Sequence, residues 1–418
     1  MFHKGRTWVF LGSLIIVLYG VSAAFYGKVV AKDEAYKEIS VFIDVLNKVA
    51  EDYVEEPDMS KVQEGAMRGL IGALDPYCSF LSKERYEELE KRRASGRAGA
   101  GMILSKRSDV IYVVSVDQNG PAAQVGIRPG DYLISVNGQI VEDKSILEAE
   151  SYLLGKPGTK VQLEVFRSSR SNPLDMELTL EVPSSETVQS KLINGNIGLL
   201  HISSLANGSI GQAGSQLRAL IAQGAEKLIL DLRDCADAGP DEGAELANFF
   251  LRDGIICYSQ NRLGEKVRIV EAAPDKYITD LPVAVIINGS TASAAEITAG
   301  ALKDRKRATI VGEKSFGVGS SQKAIELESG AMLVLSTAKY CTPSGKVIQD
   351  DAVRDAGIMP DIAVPDDETR QDLAVESYYD DQDEAMKYQQ LREKIDRIQM
   401  EKALDVLSDE GTSLKKAA

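Results

Sequence analysis

"PVAVIINGSTASAAEITAGAL", residues 282–302, is the stretch that decides the fold of the largest part of the chain. It starts as an uninterrupted apolar run, passes through small polar residues, and continues as an alanine-rich segment with helical spacing. An apolar run without alternation is typical of a strand that is covered on both faces. The stretch therefore predicts a buried strand, a tight turn and a helix that packs on the sheet.

The same alternation runs through residues 184–366. The segments "NIGLLHI" (196–202) and "KLILDLR" (227–233) are strand-like, and helical patterns follow them. Strands that alternate with helices favour parallel pairing through crossover helices. We predict an α/β fold with this region as its core.

Three further regions flank this core. Residues 32–94 have helical spacing, and residues 95–183 form a β-rich module with strand-like runs and one helix in "ILEAESYLL" (146–154). Residues 367–418 form an acidic helical tail. Its narrow apolar stripe predicts packing on this chain or on a second copy, so a homo-oligomer through the C-terminal helix stays open. The stripe consists of Tyr388, Leu391, Ile395 and Ile398.

Residues 1–28 have the pattern of a membrane segment. Lys4 and Arg6 precede an uncharged run, residues 7–27, that is long enough to cross a bilayer as one helix. Basic residues on its N-terminal side place that end in the cytoplasm and the bulk of the chain outside, in the periplasm or its equivalent. A cleaved signal peptide is the alternative, because small residues lie near the end of the run. Both alternatives predict a protein of the cell envelope.

Composition excludes several classes of function. The formal net charge of −15 argues against binding to nucleic acid or to anionic lipid, so the membrane would be reached only through the N-terminal helix. Four scattered cysteines show no metal-ligand spacing, and the sequence does not say whether any of them pair. His201 is the single histidine beyond His3. It excludes a two-histidine metal site in the exported part, and we predict no cofactor.

The junction within residues 282–302 carries the candidate chemistry. The turn places Ser293 at the start of a helix, where backbone N–H groups and the helix dipole stabilise negative charge. The hydroxyl is therefore a candidate nucleophile. Ser293 and Glu296 also match a capping box, in which the serine only closes the helix end. From this stretch alone the cap is the favoured interpretation.

The β-rich module resembles a PDZ domain in two segments, "GRAGAGMIL" (96–104) and "NGPAAQVGIRPGDYLISVNGQIV" (119–141). The resemblance implies that a peptide adds to the module as an extra strand and that backbone N–H groups receive its terminal carboxylate. These groups belong to Gly99, Ala100, Gly101 and Met102. A closed or empty groove is the alternative, because Ala100 stands where a larger apolar residue is usual.

Nearly the whole exported chain resembles the carboxyl-terminal processing, or tail-specific, serine proteases. The shared motifs, in the shared order, are "LILDLR", "NGSTASAAEI", "VGEKSFGVGSSQ" and "TAKYCTPSGKVI". The resemblance implies an N-terminal helical region, an inserted PDZ domain and a protease core in which a serine and a neutral lysine form the catalytic dyad. The nucleophile falls on Ser293, the lysine position on Val318, and an assisting glutamine on Gln322.

Three positions, in two parts of the site, depart from this family pattern. The side chain of Val318 cannot accept a proton and so cannot act as the general base. Asp237 and Ala238 replace the paired glycines that offer a backbone N–H to the oxyanion. We therefore expect a pseudoenzyme that binds C-terminal tails of envelope proteins, as a scaffold, a decoy or a regulatory partner of an active protease relative. The alternative is an active serine endopeptidase with a relocated lysine base, such as Lys303, Lys314 or Lys323.

Overall fold

The structure, a computed structural model, describes residues 39–107, 110–206, 208–349, 356–365 and 384–417. The expected membrane segment, residues 7–27, lies outside these ranges. Within them, no helix combines the length and the apolar character that a bilayer span requires. The chain divides into two compact units, Met1–Gly69 and Leu70–Ala418.

The N-terminal region is helical, as its spacing predicts. Helix α1 covers residues 39–52 and α2 covers Met59–Gly72. In the second unit, a short strand β1 (Ser79–Leu81) precedes α3 (Lys83–Ser95), which begins where the Ser82 side chain accepts the Arg85 N–H. Such a serine cap satisfies one backbone donor that the first helical turn leaves without a partner.

The β-rich module follows, with a hydrophobic core of its own. Its elements are β2 (Ala98–Gly99), β3 (Met102–Arg107), β4 (Val110–Val116), α4 (Pro121–Gln124), β5 (Tyr132–Val136), β6 (Gln139–Ile140), α5 (Ile146–Tyr152), β7 (Leu154–Gly155), β8 (Lys160–Phe166) and β9 (Leu174–Thr179). The antiparallel sheet has the order β3-β4-β5-β8-β9, with β6 paired to β5. Because β3 lies at the end of this order, one of its edges pairs with no strand of that sheet.

The remaining strands and most of the remaining helices form the α/β core. They are β10 (Val188–Ile193), β11 (Ile197–Ile202), α6 (Ser209–Ala222), β12 (Lys227–Asp231), α7 (Pro240–Asn248), β13 (Ile255–Gln260), β14 (Lys266–Glu271), β15 (Val283–Ile287), α8 (Ala294–Asp304), β16 (Ala308–Gly312), β17 (Ser320–Glu326), β18 (Met332–Cys341) and β19 (Ile362–Ala363). The predicted parallel sheet is confirmed. Its order is β10-β11-β12-β15-β16-β19, and only the β10–β11 pair is antiparallel.

A second, antiparallel sheet has the order β1-β18-β13-β14, with β17 also paired to β18. The loops after β12 and β15 meet at the carboxyl edge of the parallel sheet, which is where open α/β sheets bind their ligands. The module reaches this edge through β4. Ser115 Oγ donates to the Asp234 carbonyl and Ser290 Oγ donates to the Val114 carbonyl, both at 2.7 Å.

The tail forms one long helix, α9 (Glu384–Ala417), whose side chains are described through Ser408. Met400, Ala403, Leu404 and Leu407 pack on one face of the parallel sheet. Three residues of the predicted stripe, Tyr388, Leu391 and Ile395, line a cavity of about 390 Å³ between the module and the core. For these residues, the prediction that the helix packs on its own chain is confirmed.

Candidate functional site

Ser293 lies in the turn between β15 and α8. The turn is fixed to the neighbouring loop, because Thr291 Oγ1 donates to the Leu232 carbonyl and the Ala292 N–H donates to the Cys235 carbonyl, both at 2.9 Å. The φ angle of Ser293 is +54°, in the range that side chains rarely adopt. Strain of this kind persists only where the surrounding structure holds it, and it is concentrated at functional sites.

The hydroxyl of Ser293 does not cap α8, so the favoured reading of this stretch taken by itself is wrong. No side-chain cap hydrogen bond forms at this position, and the Glu296 N–H donates instead to the Ser293 carbonyl at 3.0 Å. Ser293 Oγ donates to the carbonyl of Ala238 at 2.8 Å. Half of the box is present, because the Glu296 carboxylate accepts the Ser293 N–H at 3.0 Å.

Glu296 is fully buried and joins the junction to the glycine-rich segment after β16. Its carboxylate accepts the Gly317 N–H at 2.7 Å, the Val318 N–H at 2.8 Å, and the Ser315 hydroxyl. Burial raises the pKa of Glu296 to about 7, although these donors favour the anion. One carboxyl group therefore organises both halves of the candidate site.

Val318 comes close to Ser293 through this carboxyl group. The backbone nitrogens of both residues donate to the same oxygen, Glu296 Oε2, so they lie within about 6 Å of each other. The flanking glycines are required by close contacts. A Cβ on Gly317 would lie 2.7 Å from Ala356 Cβ, and one on Gly319 would lie 2.8 Å from Ile348 Cβ. The position between them carries an isopropyl group.

Gln322, Lys303 and Lys323 do not join this cluster. Gln322 is exposed on β17, and its Nε2 donates to Ser320 Oγ at 2.7 Å. Lys323 is exposed next to it. Lys303 Nζ donates to the Met359 carbonyl at 2.6 Å and pairs with Asp361. Among the described residues, no lysine side chain forms a hydrogen bond with Ser293 Oγ.

Asp237 and Ala238 lie in the loop after β12. The Asp237 carboxylate accepts the Leu205 N–H at 2.8 Å and the Ser204 hydroxyl, and burial raises its pKa. Ala238 has a φ of +65°, which a glycine adopts without strain. The loop thus keeps a left-handed conformation at position 238 although the residue there is alanine. The Ala238 carbonyl accepts the hydrogen bond from the Ser293 hydroxyl.

His201 lies on β11, as its apolar surroundings predict, and belongs to a separate charge cluster. Its Nδ1 lies 3.4 Å from Asp231 Oδ2, without hydrogen-bond alignment. Burial raises the pKa of Asp231, but the Arg233 guanidinium outweighs burial and holds it well below its usual range. Arg233 also pairs with Asp396 of α9 at 2.7 Å. The cluster therefore joins the tail helix to the sheet.

The four residues of the expected carboxylate cradle run from the last residue of β2 to the first residue of β3. The Ala100 carbonyl accepts the Ala122 N–H at 2.9 Å, and the Gly101 carbonyl accepts the Asp117 N–H at 2.8 Å. Gly101 has a φ of +71°. These bonds fix the loop through its acceptors and leave the N–H groups of Ala100 and Gly101 without a protein partner in the described residues.

Two models of known protein families match parts of this chain. The family model described as peptidase family S41 matches residues 196–364, and the model described as PDZ domain matches residues 98–182. The carboxy-terminal-processing protease of Bartonella bacilliformis is 32% identical over 341 residues, which are 80% of this chain and 76% of that protein. This chain belongs to the carboxy-terminal processing protease family. CtpA of Bacillus subtilis, a carboxy-terminal processing protease, is 32% identical over 317 residues, covering 74% of this chain and 67% of its own.

The fold of the carboxy-terminal processing proteases is also found by comparison with solved structures. The photosystem II D1 C-terminal processing protease superposes with a TM-score of 0.64 at 24% identity, over 77% of this chain and 92% of that one. This likeness concerns the fold. The catalytic roles of Ser293, Val318 and Gln322 stay predictions.

The central position of Glu296 in this member of the carboxy-terminal processing protease family was not predicted from the sequence. Glu296 was expected only as one half of a capping box, whereas its carboxyl group also binds the segment around Val318. A signal was present. Glu296 is the single charged residue in the first nine residues of α8, and a lone charge in a buried helix needs partners of its own.

Proposed function

We propose that this chain binds the C-terminal tails of client proteins in its PDZ groove and has little or no peptidase activity. One observation carries the proposal. Ser293 Oγ donates to a carbonyl oxygen, and the side chain that its family pattern reserves for the base is the isopropyl group of Val318. Neither a carbonyl nor an isopropyl group takes a proton at neutral pH.

The groove supports the binding half of the proposal. Strand β3 ends the sheet order and packs beside α5, so an extended peptide finds an unpaired strand edge next to a helix. A peptide that adds there gains main-chain hydrogen bonds whatever its sequence. The N–H groups of Ala100 and Gly101, at the start of this strand, are available to its terminal carboxylate.

The residues around Ser293 support the second half of the proposal, the loss of peptidase activity. Losing a general base typically lowers the rate by about 10²- to 10⁴-fold. Losing an oxyanion donor lowers it by about 10²- to 10³-fold more. The carboxylate of Asp237 is held by Ser204 and Leu205, so the damage at this loop lies in the missing glycines rather than in a free charge beside the oxyanion.

The cellular setting is part of the proposal. The basic residues and the apolar run at residues 1–28 support an inner-membrane anchor or a signal peptide, with the bulk of the chain in the periplasm or outside the cytoplasm. There the chain would present or withhold client tails, as a scaffold, a decoy or a regulatory partner of an active relative.

The test is a fluorescent peptide with an apolar C-terminus, added to the full chain and to Ser293→Ala. We expect saturable binding to both proteins, no cleavage by either, and no binding of the C-terminally amidated peptide. Cleavage by the unmodified chain that Ser293→Ala abolishes would establish the alternative, an active endopeptidase with a relocated base.

Substitutions at two glycines distinguish a loss of peptide binding in the cradle from a general loss of folding. A Cβ on Gly101 would lie 3.2 Å from Gly120 Cα, whereas one on Gly138 would meet nothing within 4 Å. Both glycines have positive φ, so both valine substitutions strain the backbone. We expect Gly101→Val to weaken tail binding at least tenfold and Gly138→Val to leave it unchanged. Equal loss in both would contradict the assigned cradle.

A further inference from the structure

A cavity of about 430 Å³ joins the carboxylate cradle to the core. On one side it is lined by Gly99–Ile103 and by Glu150 and Leu153 at the end of α5. On the other side it is lined by Gln189 of β10 and by His201 of β11. A tail held in the cradle therefore lies in a space that is walled by both domains, and the charges of both domains face it.

The charges around this cavity are predominantly acidic. The titratable and charged groups that line it are Asp117, Glu150, His201, Arg233, Asp234 and Asp237. The positive charge of Arg233 is taken up by Asp231 and Asp396. The carboxylate of Asp237 is bound to Ser204 and Leu205, and one oxygen of Asp117 accepts the Asn119 N–H.

Glu150 differs from the other carboxylates of this cavity because it has no side-chain hydrogen bond or ion pair within the described residues. Arg93 of α3 is the cation whose field reaches it, and the Arg93 guanidinium pairs with Glu90 at 3.4 Å. A partly buried carboxyl group without a protein partner, on the wall of a peptide groove, offers an acceptor to a cation of the ligand.

We propose that the client tails carry a lysine or arginine within the four residues that precede an apolar terminal residue, and that this cation pairs with Glu150. The inference rests on the proposed tail binding and specifies which tails bind. Strand addition gives affinity to any extended peptide, so selectivity must come from side chains that face the groove. Charge pairs at interfaces discriminate strongly, because like charges in the same place repel.

The titration of Glu150 gives this pairing a pH signature. Burial raises the pKa of Glu150 to about 7, with the field of Arg93 acting in the opposite direction. Below pH 7 the group is largely neutral and attracts a cation weakly. The preference for a basic tail should therefore grow between pH 6 and pH 8, while the charge on the peptide lysine does not change.

The experiment measures fluorescence anisotropy with the full chain at pH 8. A set of labelled decapeptides shares one apolar C-terminal residue and carries lysine, methionine or glutamate at one of the four preceding positions. At one or more of these positions we expect the lysine peptide to bind about tenfold more tightly than the methionine peptide, and the glutamate peptide to bind more weakly than both. In Glu150→Gln the lysine preference should fall below about twofold. In Glu142→Gln, which changes an exposed carboxylate outside the cavity, it should persist.

The outcomes separate the two claims. If the methionine peptide binds and its amidated form does not, tail binding stands whatever the lysine result. Equal affinity for all side chains, or a lysine preference that survives in Glu150→Gln, would then overturn the inference alone. If no peptide binds saturably, the proposed function fails and the inference falls with it.

Discussion

The chain contains two Ser-x-x-Glu segments at helix starts, Ser145 to Glu148 in the PDZ domain and Ser293 to Glu296 in the core, and they behave differently. Ser145 has extended backbone, with a φ of −72° and a ψ of 159°. Its Oγ accepts the Glu148 N–H at 3.3 Å, and the Glu148 carboxylate accepts the Ser145 N–H at 3.0 Å. Ser293 has a φ of +54°, and its hydroxyl leaves the helix end to reach Ala238.

The difference shows what a local pattern can decide. Both glutamates accept their serine's backbone N–H, so that half of the box follows from spacing alone. The other half depends on the turn before the helix. At Ser293 this turn is bound to the β12 loop, which forces a backbone conformation in which the hydroxyl points to another loop. The first segment closes a helix, and the second presents a hydroxyl.

The largest effect should come from giving the presented hydroxyl a base. We expect Val318→Lys to raise hydrolysis of a tail peptide by about 10²-fold or more, because an amine in this partly buried position is biased toward its neutral form. Adding Asp237→Gly and Ala238→Gly should raise it further. Two controls should show no hydrolysis: Val318→Met, in which the new side chain is about as long as lysine but has no amine, and Val318→Lys combined with Ser293→Ala. Folded variants without any turnover would contradict the assignment of position 318.

The two glutamates should differ in their effect on stability. Glu296→Ala removes the acceptor of three N–H groups and of one hydroxyl, so we expect a loss of about 3 kcal/mol or more in the free energy of unfolding. Glu148→Ala removes the acceptor of one N–H group and of the Ser145 hydroxyl, together with a pair with the partly exposed Arg85, and should cost about 1–2 kcal/mol. Urea denaturation measures both. Equal losses would mean that Glu296 is only a cap.

Glu296 should also make stability depend on pH. Burial raises the pKa of Glu296 from 4.5 to about 7, so the folded protein holds a proton that the unfolded chain releases. The contribution is fully present below pH 4.5 and is lost as the pH rises to about 7, with a magnitude on the order of 3 kcal/mol. Comparing urea denaturation of the unmodified chain and of Glu296→Gln at pH 5 and pH 7.5 isolates it. If the two proteins differ in free energy of unfolding by the same amount at both pH values, this titration is excluded.

The smallest effect concerns the loop that accepts the Ser293 hydroxyl. Ala238→Gly should stabilise the chain by about 1 kcal/mol, because glycine adopts the positive φ of this position without strain. Ala219→Gly, on an exposed position of α6, should destabilise it by about 1 kcal/mol. Opposite signs in thermal denaturation support a strained loop, and equal signs contradict it.

Much of the fold could be predicted from local patterns. The parallel strands are continuous apolar runs, and the PDZ strand β8 alternates buried and outward residues. The antiparallel sheet of β13, β14, β17 and β18 was not predicted. Its β13–β14 and β17–β18 pairs join neighbouring segments, but the pairs that assemble the sheet are nonlocal, as where Ser79 of β1 pairs with Val334 of β18. No turn signal in the sequence joins such distant segments.

At the candidate site, the sequence by itself determined which chemical groups are present: a serine at a helix start, a valine between two glycines, and no glycine pair after "LDLR". These are properties of residue identity and need no coordinates. Only the tertiary structure decided how the groups are used. It bent Ser293 away from its helix, bound Val318 and Ser293 to one buried carboxyl group, and left Glu150 facing a cavity between two domains. The physical reason is that side-chain identity is local, whereas backbone strain, burial and charge environment depend on residues that are distant in the chain.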